Sequence, residues 1–353
     1  MRSSPLFLPH ARALTILHGD IEAYALSQAE VFLGTAGSVV QRRNADGFRF
    51  YAHQHYDGNG RKRERYLAGP AGQAAADEAA DALRVRIRDL KALVPSLRLL
   101  GREGFNLVDA KTYATLASLH NPGVFSAGGM LIGSHAYGVL LNRLGVRAAA
   151  YATEDSDIAR REALAFDSGP ERAFLDMLRA SGIEFVEVPK LDRRSPPTSF
   201  KQRGRSQFHV DLLVPSPDET FPVVSVPELG AHATGLPYLA YLLEESQTAA
   251  LLAREGCCAV RIPLAERFAV HKLVVSRLRT ERRAKSENDI VQAAVVFAVL
   301  AESHPGAIEQ AIETVPKRAR RYVHAALPLV QRHLERPHPR AWDELGAAAG
   351  HKR

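Results

Sequence analysis

The chain has 353 residues, 46% of them hydrophobic and 24% charged, and carries a formal net charge of +7. That composition excludes a disordered or fibrous chain and supplies enough apolar residues for a sizeable core. The basic balance leans towards anionic partners such as nucleotide phosphates or nucleic acid. The longest purely apolar run, AAVVFAVLA at 293–301, falls far short of the ~20 residues that cross a bilayer, so no membrane association is expected. Pro9 and His10 interrupt the apolar start, which does not read as a leader. Cys257 and Cys258 are adjacent, a spacing that suits buried structural thiols and a cytoplasmic location better than a disulfide or metal pair.

In chain order, residues 20–36 read as helical. GFRFYAHQHYDGNGRKRERYLAG (47–69) then alternates aromatic and polar residues about Asp57–Gly58–Asn59–Gly60, a strong hairpin signal. An Ala-rich helix follows from Pro70, and Pro95 is expected to break it. Next come a helix at 108–118, a strand at 124–133, a helix at 134–145 and a strand at 146–159. A helix near 170–181, a strand at 183–188, a second hairpin at 197–216 and a strand at 222–226 complete the middle. After about 236 the chain reads as helical through LPYLAYLLEESQTAALLAREG, with one short strand, CCAVRIP, before two long helices. The expected organisation is an N-terminal extension at 1–95, a central α/β module at 96–228 and a mostly helical region at 229–353.

Three features of the central module carry chemistry. In LIGSHAYG (131–138) a strand runs through Gly133 and Ser134 straight into a helix; glycine admits a phosphate close to the backbone, serine can cap, and first-turn N–H groups favour an anion. In TEDSDIA, Asp155 and Asp157 project from one strand face, with Glu154 on the other. Paired hard oxygen ligands suit Mg²⁺ held together with substrate phosphates. In FHVDLLV (208–214), Asp211 lies on the His209 face of an otherwise apolar strand, where burial without a partner is costly. A metal ion, or the proton of an attacking hydroxyl, would give it one.

Together, Gly–Ser at a helix start, a DxD on the next strand and a lone aspartate on a later strand resemble the active-site pattern of the nucleotidyltransferase superfamily, shared with DNA polymerase β. RERYLAGP, GGMLIGSHAYG, TEDSDIA, HVDLLVP and IPLAERFAVHKLVVSRLR also resemble a bacterial branch of that superfamily, grouped by fold and motif more than by substrate. One departure stands out. Twenty residues (135–154) separate Ser134 from Asp155, more than the usual dozen or so, which a longer helix and loop would absorb. The resemblance implies an α+β fold, a mixed sheet flanked by helices, with an N-terminal hairpin and helix extension and a helical C-terminal region. It implies that Gly133 and Ser134 hold the β- and γ-phosphates of an NTP. Asp155, Asp157 and Asp211 would ligate two Mg²⁺ ions, or Mn²⁺ in their place. Asp211 would help to deprotonate an acceptor hydroxyl on an RNA 3′ end, a protein side chain or a small molecule. Lys272, in the late family phrase, is expected on the triphosphate.

Other residues are weighed more plainly. His271 reads as a packing histidine; Lys285 could reach a phosphate or pair with Asp289 at i, i+4, and the pair is favoured. Basic residues at 193–205, at 277–285 and on the hairpin (Arg61, Lys62, Arg63, Arg65) could form a track for an RNA backbone, or simply a solvated surface. His53 and His55 share a strand face, but no third zinc ligand accompanies them. The non-catalytic alternative is a nucleotidyltransferase fold used as a binding or antitoxin-like module. A nucleotide-sugar glycosyltransferase would not need Asp211 or the Gly–Ser turn. A haloacid-dehalogenase phosphatase would want Thr or Val where Ala159 stands.

Overall fold

The computed structural model describes residues 4–148, 155–166, 173–190, 192, 194–278 and 283–350. A short strand β1 (Phe7–Pro9) leads into helix α1 (Arg12–Ser27), which starts and ends earlier than the sequence suggests. Strands β2 (Ser38–Arg43), β3 (Arg49–Tyr56) and β4 (Lys62–Ala68) form an antiparallel sheet. The β3–β4 turn falls where the Asp-Gly-Asn-Gly stretch predicts it: Asp57 Oδ1 accepts the backbone N–H groups of Asn59 and Arg61 at 3.0 and 2.9 Å.

Helix α2 (Ala74–Arg102) runs through Pro95 instead of ending there. A proline removes one helix hydrogen bond and crowds the turn before it. The turns beyond it are held by Leu97 and Leu100, which are buried in one cluster with Ile21 and Ala25 of α1. Tertiary packing overrides the local break.

Helix α3 (Ala110–His120) is capped by Asp109, whose side chain accepts the N–H groups of Lys111 and Thr112. Then come β5 (Met130–Ile132), α4 (Gly133–Arg143), β6 (Val146–Ala148), β7 (Asp155–Ala159), α5 (Phe174–Arg179), β8 (Phe185–Glu187), β9 (Ser199–Gln202), β10 (His209–Pro215), β11 (Val223–Val226) and β12 (Ala231–Leu236). Their mixed seven-stranded sheet has the order β11-β12-β10-β7-β5, with β9 on the free half of β10 and β8 outside it. β7 and β10 are parallel, whereas β5 is antiparallel to β7. One face of this sheet is core: Ile158, Phe200, Val210 and Leu212 are each at most 1% exposed.

The segment read as one strand at 146–159 divides. Strand β6 leaves the central sheet to pair with β1, Phe7 opposite Ala148; only Asp155–Ala159 joins β10, and residues 149–154 lie outside the described residues. The extra length between Ser134 and Asp155 is therefore an excursion that ties down the N-terminal strand.

After α6 (Leu239–Leu242), residues expected to be helical form β13 (Ser246–Leu252), paired antiparallel with β14 (Cys257–Pro263). A short apolar run such as AALL does not separate helix from strand by periodicity; the apolar partner CCAV in β14 decides it. Both cysteines are buried and free within this hairpin. Helices α7 (Ala265–Leu278), α8 (Arg283–Ser303), α9 (Ala307–Glu313), α10 (Arg320–Leu334) and α11 (Pro339–Ala348) close the chain. The apolar run 293–301 is a core helix, each residue at most 2% exposed, and no described helix is long and apolar enough to cross a membrane.

A buried ion pair clamps α7 to α8: Lys272 Nζ donates to Asp289 Oδ1 at 2.7 Å, with the two side chains 11% and 3% exposed. Removing one partner of such a pair strands a charge in the core. Lys272→Ala is expected to cost about 3–5 kcal/mol, and Lys272→Met/Asp289→Leu to recover most of it. Denaturant unfolding checks both, and an unchanged midpoint for Lys272→Ala would refute the clamp.

Candidate active site

The register of three strands builds the site. Ile132 of β5 stands opposite Asp157 of β7, and Asp157 stands opposite Asp211 of β10. One pleat earlier, Asp155 stands opposite His209, and beyond His209 lies Lys201 of β9. Since side chains two apart share a face, Asp155, Asp157, His209 and Asp211 project together from the face opposite Val210 and Leu212. The two acidic strands come together by direct parallel pairing.

Chain connectivity adds the Gly–Ser turn. Gly133 follows Ile132 directly, with φ at +70°, and a methyl group built on it would lie 2.2 Å from Asp157 Oδ2. Glycine is required twice here, for the left-handed backbone and for the space that the carboxylate fills. Ser134 does not cap α4 with its hydroxyl; Ile132 takes the cap position, with no side-chain hydrogen bond there. Gly133 and Ser134 instead open the first turn, whose backbone N–H groups have no partner within the helix. An anion arriving beside Asp157 would meet these groups and the positive end of an 11-residue helix.

Two cations of the chain join the site: His209, which carries no role in the sequence reading, and Lys285, weighed there as a phosphate contact or as the partner of Asp289. His209 Nδ1 lies 3.1 Å from Asp155 Oδ1, and its Nε2 lies 3.6 Å from Asp211 Oδ2. The Asp211 carboxylate, the Gln207 carbonyl and Asp155 outweigh partial burial and raise the imidazole pKa to about 9. Burial alone would lift the Asp211 carboxyl, but His209, Ser199 and Lys285 hold it below its ordinary range. Lys285 Nζ donates to Asp155 Oδ2 at 3.1 Å. This corrects the expected i, i+4 pairing within α8: Asp289 receives Lys272, and Lys285 crosses to β7. Lys272, expected on a triphosphate, is placed in that buried clamp, 9% exposed. The signal for His209 was in the sequence, two residues before Asp211 on the same strand face. That for Lys285 was not, because it depends on how α8 docks.

His135, in the first turn of α4, is a further residue that sequence reasoning passed over. Burial pushes its pKa down to about 4, and its Nε2 has no hydrogen-bond partner among the described residues. A neutral imidazole therefore stands next to the Gly–Ser turn. His271 is buried in α7, in keeping with a packing role. Glu154, Arg193 and residues 279–282 of the basic stretch lie outside the described residues. Arg203 is paired with Glu184 at 2.7 Å.

Among the described residues no three His, Cys, Asp or Glu side chains converge into a metal cage. The donors nevertheless fit Mg²⁺, which takes one or two carboxylates and completes its shell with water and substrate phosphate. Asp155, Asp157 and Asp211 are such hard donors on one face. Two of them are already countered by cations of the chain, the side chains of Lys285 and His209.

A family model described as Nucleotidyltransferase matches residues 110–316, more than half of the chain. The match spans β5, α4, β7 and β10, the elements that carry the Gly–Ser turn and the three aspartates, and the fold is the mixed α+β arrangement of that class. The chain belongs to the nucleotidyltransferase family, with nucleotidyl transfer as its general chemistry and an NTP as its substrate class. No curated protein and no solved structure matches it.

Two expectations test the geometry. In EDTA, His209 is expected to titrate near pH 9 by NMR, and Asp211→Asn to bring it back towards its ordinary 6.5. With the folded value raised, its ion pairs stabilise the fold fully below about pH 6.5, and the contribution is lost as pH climbs through about 9. Gly133→Ala is expected to cost about 1–2 kcal/mol from backbone strain. By displacing Asp157 it is also expected to lower turnover roughly a hundredfold; unfolding and transfer assays read the two effects separately.

Proposed function

We propose that the chain is a divalent-cation-dependent nucleotidyltransferase that moves a nucleoside monophosphate from an NTP to an acceptor hydroxyl and releases pyrophosphate. The observation that carries this reading is the row Ile132–Asp157–Asp211, with Gly133 turning directly beneath the Asp157 carboxylate. Two carboxylates at matched positions on neighbouring strands repel. A chain that places an anion-binding helix start against them is built for a cation and a phosphate together.

Gly133 and Ser134 offer the first-turn N–H groups of α4 to the β- and γ-phosphate oxygens. Asp155, Asp157 and Asp211 would hold Mg²⁺, which would supply charge neutralisation along the triphosphate. Asp211, kept anionic by its neighbours, accepts the proton of the acceptor hydroxyl. The hydroxyl oxygen then bonds to the α-phosphorus as the bond to the bridging oxygen breaks, and the electron pair leaves on pyrophosphate. Lys285 exchanges Asp155 for a phosphate oxygen when the NTP enters, a short movement for a half-exposed side chain. The rate comes from positioning and fixed charge, as in phosphoryl transfer generally.

A second reading, a nucleotidyltransferase fold kept as a binding or antitoxin-like module, is favoured by one observation. The chain's own cations already counter Asp155 and Asp211. Incubation with each α-³²P-NTP and Mg²⁺, with total RNA and then with cell lysate as acceptor, separates the two. Label is expected on one acceptor class, and Asp155→Ala, Asp157→Ala or Asp211→Ala are each expected to reduce it by at least about a thousandfold. Lys285→Ala should act mainly on KM. Transfer that persists in Asp155→Ala/Asp157→Ala removes the metal assignment, and no transfer to any acceptor leaves the binding module.

A further inference from the structure

A cavity of about 490 Å³ lies away from the acidic face. One wall is β3, β4 and their turn; the others come from residues 30–33, α2 and Ala180–Gly182 after α5. On the sheet wall His53 is paired with Arg65 and His55 with Arg63, so two imidazoles and two guanidiniums share one face. Arg86 of α2 faces them, its guanidinium 5.3 Å from the centre of the Phe32 ring. The cavity thus has a cationic side and an aromatic and aliphatic side built from Phe32, Val31 and Leu83.

Two acids also line it, one paired with Arg63 and one with Arg86, and Arg65 is left uncountered among the described residues. Asp57 is consumed by the turn: 4% exposed, it accepts Arg63 Nε at 2.7 Å together with two backbone N–H groups. Glu30 stands 70% exposed at the rim, 3.8 Å from Arg86. Among the described residues Arg65 has no carboxylate partner. The imidazoles are unlike each other. His53 Nε2 is hydrogen-bonded to the Ala36 carbonyl at 2.9 Å, whereas His55 Nδ1 is buried with no hydrogen-bond partner among the described residues. The rings stack at 4.7 Å, and burial followed by the charge of His53 keeps the His55 pKa low. An orphaned ring nitrogen beside an unpaired arginine is a poor structural choice and a good ligand contact.

We propose that this cavity is a nucleotide-binding site separate from the acidic centre, with the ligand phosphate held by Arg65 and Arg86 and its flat apolar part lying against Phe32 and Leu83. The volume lies within the ~300–1,000 Å³ of small-ligand pockets and is far larger than a lone phosphate needs. Guanidiniums on two walls suit the tetrahedral oxygens of a phosphate, and the apolar wall suits a base. The ligand is a nucleotide, either free or as a unit of a single strand passing over the exposed Tyr66 at the rim. The cavity communicates with the catalytic sheet through the β3–β4 turn. Asn59 Nδ2 donates to the Gly182 carbonyl at 3.1 Å, and its Oδ1 accepts Gln202 Nε2 of β9 at 3.1 Å. By strand alternation, Gln202 points away from the face of Lys201 and Asp211.

The test is equilibrium binding to the full chain in EDTA, with inorganic phosphate, AMP and a 5′-phosphorylated single-stranded octanucleotide as probes. AMP or the oligonucleotide is expected to bind at least tenfold more tightly than phosphate, and more weakly as salt rises. Arg65→Ala and Arg65→Ala/Arg86→Ala should each reduce that affinity at least tenfold. Lys62→Ala, on the opposite face of β4, should not. Asp155→Asn/Asp211→Asn should also leave it unchanged, which separates this site from the acidic centre. AMP binding as tightly as the oligonucleotide marks a free-nucleotide site, and oligonucleotide binding alone marks a strand site; both support the proposal. Binding of no probe, equal affinity in the Arg65→Ala/Arg86→Ala variant, or loss only in the aspartate variant would overturn it.

Discussion

Two aspartates placed side by side on neighbouring parallel strands set the terms for the rest of the molecule. Like charges in register cost energy on any sheet, and here Asp157 and Asp211 face each other with Asp155 one pleat away. The chain meets that cost with its own cations. His209 comes from the acidic strand itself, and Lys285 is brought across by a helix more than a hundred residues later. Neither cation is deeply buried, so a better counter-charge arriving with a substrate can displace them. The same constraint explains Gly133: the space under Asp157 has to be left by a residue without a side chain.

Much of this arrangement was legible in the sequence because it is local. Alternation puts Asp155 with Asp157 and His209 with Asp211, and a glycine between strand and helix marks the close approach. The hairpin about Asp57 was equally plain, since its turn chemistry leaves few alternatives. What could not be read was anything that depends on one segment choosing another. AALL in β13 becomes strand only because β14 offers a partner. Pro95 stays inside a helix only because Leu97 and Leu100 are buried beyond it. The two lysines show the difficulty most clearly. Lys272 and Lys285 lie on successive helices, and the docking of α7 against α8 sends the first into the clamp and the second to the site.

The long interval before Asp155 also takes on a meaning that spacing alone does not give. It holds strand β6, which has no place in the central sheet and pairs with the start of the chain instead. The acidic strand therefore begins just beyond a segment fixed by residues 7–9. The N-terminal region also reaches the central sheet directly, through the Asn59–Gln202 contact.

That N-terminal strand has one more partner. The Leu6 N–H donates to Nε2 of His338 at 3.0 Å, and the Phe7 ring stacks on the same imidazole. Residues 332 positions apart thus share one small junction at the start of α11. Contacts of such separation are made late, because the loop they close is nearly the whole chain. One imidazole near the end of the described chain thus covers the outer side of the strand that pairs with β6.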